Sequence, residues 1–451
     1  MKKLDIFFFF IIIFFIGIIN VFAQDNVYSI NKNDNEKFYY VIDTYNTKEE
    51  KDGNLLIGTF LKEEIEYNDQ TFNNDQIMAI KYDDLGNIIW SYRYGKTAQD
   101  MINTVTYIYD ENGKINGYGI IIPTSYNVEE ENLQGTTILK LSLDGKLLEE
   151  KPITEDHQTI EKIILANQNK TDGYIAVGYQ KENNNKEKAL LIRYDRDFNV
   201  LWTKDFSKED NNEINYQDIE VIKKDNNVVG YAVIKEITNI ENKKEKSIIA
   251  FNLDGEEDSL WNIPLEYENS FLEEANNGVL VYGITKDVKL EKGEASYYIN
   301  NYLDGEEKWE SIGETPTLKT SKIKMIPRFK EGSINEYILM VQSNDNTNTE
   351  IIKIDSEGTF IKKIKKITTE YYDIESFNVR NNTIFIAGQI NCPKDDTCDY
   401  DTNSLFLVSD EDKVIEVEDK DSKNILIVIT IIVLLGILIP FIRNKRKKLL
   451  R

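Results

Sequence analysis

The chain of 451 residues contains one histidine, two cysteines and seven prolines. The histidine, His157, stands in the polar stretch Glu155-Asp156-His157-Gln158. A single imidazole excludes Ser-His-Asp catalysis as the plan of the molecule, and any metal site built on several histidines. Two cysteines without a histidine beside them do not make a zinc site. So few prolines leave little to interrupt strands. The sequence also lacks a glycine-rich phosphate loop, a basic aromatic patch and an Asp-x-Asp-x-Asp-Gly calcium loop. Positive charge is scarce: 54 Lys and Arg stand against 78 Asp and Glu, a net charge of −24. The first 23 residues carry +1 and the last nine +6, which leaves −31 for residues 24–442. A body this acidic repels nucleic acid and anionic lipid and gains solubility from self-repulsion, so no nucleic-acid partner is expected.

What is present begins at the ends. Lys2 and Lys3 precede an apolar run from Ile6 to Ile19 and then Val21-Phe22-Ala23. That order is a secretory signal over residues 1–23, with cleavage expected after Ala23. Ile425 to Ile442 is a run of 18 residues without a charge, about 27 Å long as a helix and close to the thickness of a bilayer core. Arg443, Lys445, Arg446, Lys447, Lys448 and Arg451 follow it. Basic clusters beside a span stay cytoplasmic. The expectation is a single-pass protein of the cell membrane, with residues 425–442 as its transmembrane helix, 443–451 as a basic cytoplasmic tail and the body outside. Residues 24–37 read as a flexible leader and 417–424 as a charged stalk.

Between the ends, a strand-rich phrase recurs. It stands as Ile80-Lys81-Tyr82-Asp83-Asp84-Leu85-Gly86-Asn87-Ile88-Ile89-Trp90 and as Ile192-Arg193-Tyr194-Asp195-Arg196-Asp197-Phe198-Asn199-Val200-Leu201-Trp202. A second marker is a turn followed by an alternating strand that closes on glycine, at Gly58, Gly178, Gly283 and Gly388. These glycines are 120, 105 and 105 residues apart, and each gap holds one further copy, so the unit is 52–60 residues long. Asp144-Gly145, Asp254-Gly255 and Asp304-Gly305 supply the positive φ of tight hairpins. Short apolar runs bounded by such turns are strands. The expected fold is all-β: a seven-bladed β-propeller ectodomain over residues 38–416, made of about seven four-stranded repeats that stack into a ring.

The Tyr-Asp-x-x-Gly-x-x-x-Trp phrase resembles the tryptophan-docking repeat of bacterial quinoprotein-like (PQQ-like) propellers. It is more similar still to the propeller repeats of uncharacterised bacterial surface proteins. Gly86 to Trp90 and Gly305 to Trp309 keep the four-residue step. Trp202 keeps its place although Phe198 replaces the glycine, Trp261 lies two residues too far from Gly255, and Glu149 and Lys362 stand where tryptophan would be. The resemblance implies a fold rather than an activity. A quinoprotein dehydrogenase would show adjacent cysteines, which this chain lacks, so no cofactor is expected.

The four tryptophans Trp90, Trp202, Trp261 and Trp309 keep a fixed register, which assigns them to packing between blades. Cys392 and Cys398 are expected to form a local disulfide outside the membrane. Asp395, Asp396, Asp399 and Asp401 in the same loop are weak candidates for a calcium site. No catalytic residue emerges. The function expected is a non-catalytic binding or scaffold module at the cell surface, facing an extracellular protein or glycan through variable loops. The alternative is an extracellular carboxylate-dependent enzyme, such as a glycosidase, with or without calcium. It requires carboxylates from different blades to converge on the central channel.

Overall fold

The computed structural model describes residues 26–28, 36–67, 70–84, 86–95, 102–123, 135–167, 169–181, 187–206, 212–265, 269–284, 289–290, 293–314, 320–343, 348–368, 372–380, 383–391, 402–410 and 415–416. All regular structure among them is β-strand. Blade 1 is the meander Glu36–Tyr45, Lys51–Tyr67, Gln70–Tyr82 and Ile88–Tyr94. Five more meanders of four antiparallel strands follow: residues 104–152 (blade 2), 158–206 (blade 3), 213–265 (blade 4), 270–314 (blade 5) and 320–368 (blade 6). In each the first strand is innermost and the fourth outermost, except that in blade 6 the short strand Ile415–Glu416 pairs in parallel outside the fourth.

The expectation of a seven-bladed propeller of like repeats needs correction, whereas the transmembrane helix expected at residues 425–442 lies outside the described residues. The chain completes six blades from its own consecutive strands, and the last unit is not a further copy. It supplies three strands, Tyr372–Arg380, Thr383–Asn391 and Thr402–Asp410, and the fourth is Asn26–Tyr28 from the other end of the chain. Asn26 pairs Val408, Val27 pairs Leu407 and Tyr28 pairs Phe406. Residues 26–28, read from sequence as flexible leader, are thus the outer strand of a composite closing blade. The reason is hydrogen bonding: without them the strand Thr402–Asp410 would leave its outer edge unpaired. Seven residues separate Tyr28 from Glu36, within the three to nine that link each of the other blades to the next. As for the helix, no helix among the described residues is long and apolar enough to cross a membrane. Residues 417–451 lie outside the described residues.

The core is a circuit of apolar clusters, one between each pair of neighbouring sheets. Side chains alternate along the second strand of blade 1: Leu56 faces the closing blade beside Phe385 and Ala387, whereas Leu55 and Ile57 face blade 2 beside Tyr118 and Ile120. This period of two is what a strand buried on both faces demands. On its other face the closing blade packs Ile384 and Ile386 against Ile338, Met340 and Ile351 of blade 6. The circuit therefore returns on itself, and the fold is a β-propeller.

Polar groups lock the seam between the closing blade and blade 1. Arg380 Nη1 donates to the Gly53 carbonyl at 2.7 Å, and Asn378 Nδ2 to Asp43 Oδ1 at 2.8 Å. Arg380 also ion-pairs with Asp84, and the Val41 N–H donates to Ser376 Oγ at 3.3 Å. These bonds join residues more than 290 positions apart, so they form only when the ring is closed.

Candidate functional site

The regular part of the ring comes first, because the candidate site arises where it fails. In blades 1, 3 and 5 the outer strand carries its tryptophan onto the third-to-fourth-strand turn of the next blade: Trp90 onto Gly145, Trp202 onto Gly255, Trp309 onto Gly358. A Cβ at any of these three glycines would run into the ring. Trp90 Nε1 also donates to the Leu143 carbonyl at 3.1 Å. The closing glycines Gly58, Gly178, Gly283 and Gly388 lie on second strands, where an added Cβ would meet the carbonyl of Lys37, Thr159, Asn269 and Asp373 on the first strand. At Gly58, Gly178 and Gly388 the first strand bulges by one residue. None of these ten residues is placed to do chemistry; they set the spacing of the blades.

Blade 4 breaks the pattern. Elsewhere one residue is skipped where the outer strand bulges, as Ile89 is between the pairs Tyr82–Ile88 and Lys81–Trp90. In blade 4 three are skipped, because Asp258 pairs Ala250 and Asn262 pairs Ile249. The two extra residues are those that put Trp261 too far from Gly255. Trp261 does not dock on the turn at Gly305, which the Leu260 backbone meets instead. It is 3% exposed and joins the core between blades 4 and 5. Beside it opens a groove of about 1510 Å³, lined by Trp261, Asn262, Gln217, Glu236, Lys244, Asn269 and neighbours. Glu236 is buried and holds Lys244 at 2.8 Å and Lys246 at 3.4 Å, and Lys246 donates to Gln217 Oε1 at 2.6 Å. Burial would raise the Glu236 carboxyl, but its bonds and charges from Lys244 and Lys246 outweigh that and hold it below its ordinary value.

A second polar cluster lines the axis of the ring, on the inner strands. Lys162 of blade 3 pairs with Asp218 at 2.7 Å and stands 3.8 Å from Glu220, both of blade 4. Asp218 Oδ2 accepts the Leu272 N–H of blade 5 at 2.8 Å. Glu273 and Glu274 of blade 5 complete this wall, Glu274 in an ion pair with Lys223. Burial pushes the Glu220 carboxyl up to about 7. Burial, with the charge of Glu220, raises Glu273 as well. Across the axis, Glu375 of the closing blade accepts from Lys37 and Lys322, each at 2.8 Å. Lys324 of blade 6 stands 5.7 Å from the centre of the Tyr40 ring, and burial pushes its amine down to about 8. Chemically, this is a set of carboxyls and one amine able to exchange protons near neutral pH.

Sequence reasoning did not single out these axial residues. Their signal is charge at inner-strand positions where other blades carry isoleucine: Glu220 and Glu273 correspond to Ile42, Ile164 and Ile326. His157 is an exposed turn residue. Cys392 and Cys398, and the weak metal candidates Asp395, Asp396, Asp399 and Asp401, lie outside the described residues. Among the described residues no group of three or more His, Cys, Asp or Glu is placed to hold a metal ion.

No family model matches the chain. No curated protein matches it in sequence. Solved structures similar to it are β-propellers of unlike proteins. The β-propeller domain of the Trilobed protease from Pyrococcus furiosus, described as having an open velcro topology, is 14% identical, with a TM-score of 0.45 over 85% of this chain and 97% of that one. The Pan2 WD40 domain from Neurospora crassa is 8% identical, with a TM-score of 0.42 over 82% and 88%. Sqt1 from Chaetomium thermophilum is 8% identical, with a TM-score of 0.43 over 85% and 100%.

Proposed function

We propose that this protein is a non-catalytic binding module, held at the outer face of the cell membrane by residues 425–442, and that the groove beside blade 4 is its binding face. One observation carries the reading. A scaffold that otherwise repeats itself departs from its pattern at one blade, and that departure opens a large concave polar surface. Binding sites favour such irregular places on a regular frame. The docking of Trp90, Trp202 and Trp309 supports placing the repeats with those of quinoprotein-like propellers of bacterial surface proteins, in their architecture and without the quinone.

The test has two arms. Protease added to intact cells removes the body and leaves a C-terminal tag protected, if the body is outside. The purified body retains a ligand from cell-envelope fractions, and Asn262→Arg, which blocks the groove, abolishes retention. A body protected in intact cells, or retention unchanged by Asn262→Arg, removes the proposal.

A second reading is favoured by the axial cluster, where Asp218, Glu220 and Glu273 from two blades converge with Lys162. A raised carboxyl beside an ionised one is the pairing a glycosidase uses. Hydrolysis of oligosaccharides by the purified protein, lost in Glu273→Gln, would favour the enzyme. Turnover absent in the parent, or unchanged in that variant, rejects it.

A further inference from the structure

We propose that the groove beside blade 4 takes an uncharged, hydroxyl-rich oligosaccharide, and that the indole N–H of Trp261 is one of its hydrogen-bond donors. The inference rests on the reading above of this groove as the binding face and narrows it to one chemical class.

The donor comes first. Trp261 is 97% buried, and its indole N–H has no hydrogen-bond partner among the described residues. Its counterpart in blade 1 is satisfied, since Trp90 Nε1 donates to Leu143. Indole offers a donor and nothing else, and this one is not among the side-chain atoms sealed from solvent, so it reaches the groove and can exchange a water for a ligand acceptor. The side chain lines the groove, so a ligand lying there supplies the missing acceptor.

Charge then narrows the class. The lining holds four lysines and three glutamates, nearly balanced in a chain of net charge −24. Glu236 is already met by Lys244 and Lys246. A polyanion would find a surplus of only one cation here, and a polycation would find stronger attraction on the acidic remainder of the molecule. What the walls offer freely are amides and hydroxyls: Asn262, Asn269 and Ser259 are exposed. Each amide presents both donor and acceptor, which matches the mixed donors and acceptors of sugar hydroxyls. Pro264 and Leu265 add an apolar wall for the C–H faces of a pyranose ring.

Size and shape agree. Pockets for single small ligands run to about 1,000 Å³, and this groove exceeds that, so a chain of several sugar rings suits it better than a monosaccharide. An extended peptide would seek an open strand edge or a set of apolar pockets. Here the lining comes mostly from the faces of the strands of blade 4, whose backbone groups are paired with one another except along the outer edge of the fourth strand.

Isothermal titration of the purified body with two neutral probes, maltohexaose and hexa-N-acetylchitohexaose, tests the class. Saturable binding to at least one is expected, insensitive to added salt. Trp261→Phe keeps an aromatic ring in the core but removes the N–H together with part of the indole's volume; it should weaken binding about tenfold or more, the value of one hydrogen bond and some lost contact. Asn262→Ala, at an exposed position, should weaken it comparably without changing the melting temperature, which protects the test if Trp261→Phe folds poorly. Failure of both hexasaccharides to bind overturns the proposal, as does binding that neither substitution alters. Retention of a charged envelope polymer, strongly salt-dependent and lost in Asn262→Ala, overturns the ligand class and leaves the binding face standing. If Asn262→Ala changes binding of neither kind of probe, the binding face itself is wrong.

Discussion

The indole of Trp90 lies against Gly145 of the next blade, in the space that a Cβ at position 145 would take. Gly145 has φ +80, so a side chain there meets two obstacles, an unfavourable backbone region and the ring. Gly332, with φ +82, has nothing within 4 Å of its Cβ position and isolates the first obstacle. Gly332→Ala should therefore cost about 1 kcal/mol from the backbone alone. Gly145→Ala should cost roughly 2–4 kcal/mol, because the ring must also shift and lose its bond to Leu143. Urea denaturation of the two variants measures the difference. Equal losses would mean that the docking of Trp90 contributes nothing to the ring.

Phe198 stands where the repeat would carry this glycine, and it adopts φ +63. The preceding blade explains the exchange. Blade 2 has Glu149 in the tryptophan position, so no indole approaches the turn. Instead Lys151 Nζ donates to the Asp197 carbonyl at 2.8 Å and to Asn199 Oδ1 at 2.7 Å. Phe198 turns inward and stacks on Tyr174, ring centroids 4.3 Å apart and 17° from parallel. Phe198→Gly would relieve about 1 kcal/mol of backbone strain and lose about 3–5 kcal/mol of burial. A net loss near 3 kcal/mol is expected in chemical denaturation; a neutral or stabilising result would show that the stack adds nothing.

The closing blade depends on a three-residue strand that begins three positions after Ala23. A body that starts at Ser29 lacks Asn26–Tyr28 and exposes the outer edge of Thr402–Asp410, a template for pairing with other chains. Against a body starting at Gln24, it should melt about 1–3 °C lower, as a loss of about 1–2 kcal/mol implies for a domain of this size. It should also elute partly as oligomers in gel filtration. Identical melting and elution of the two bodies would show that the strand is dispensable.

Much of the architecture could be read from the repeat alone. Turn glycines with tryptophan four positions on mark where third and fourth strands meet, and the closing glycines mark second strands because there a Cβ would meet a carbonyl at the start of the blade. What the repeat could not disclose is non-local. The partner of Asn26–Tyr28 lies about 380 residues away in sequence, and three residues, Asn-Val-Tyr, are too few to carry a period. The misfit of Trp261 was visible, but its consequence, a wider bulge and a groove, depends on what the neighbouring blade does with the space. Likewise the charges at Glu220 and Glu273 stood among 78 acidic residues. They become distinctive only once inner strands bring them to one axis.

That axis should make stability depend on pH in a direction opposite to ordinary acid denaturation. Glu220 faces Lys162 from blade 3, Asp218 on its own strand, and Glu273 and Glu274 from blade 5. Burial pushes its carboxyl up to about 7 in the folded protein, against about 4.3 in an unfolded chain. Between those values the folded protein holds more protons than the unfolded one, so stability falls as pH rises through the window and is flat above it. Glu273 is raised too and adds to the same slope. Glu375 works the other way: the hydrogen bonds and charges of Lys322 and Lys37 outweigh its burial and hold it low, so its contribution is lost only at acid pH. The test therefore belongs between pH 4.5 and 7.5. Urea denaturation across that range should show the parent losing stability with rising pH, while Glu220→Gln, which cannot ionise, has a shallower slope. At pH 7.5 the variant should be the more stable by at most about 4 kcal/mol, and near pH 4.5 the two should nearly coincide. Parallel profiles would mean that Glu220 is as well solvated in the channel as in the unfolded chain. The axial cluster would then be a water-filled set of ordinary ion pairs, and the case for proton chemistry there would end.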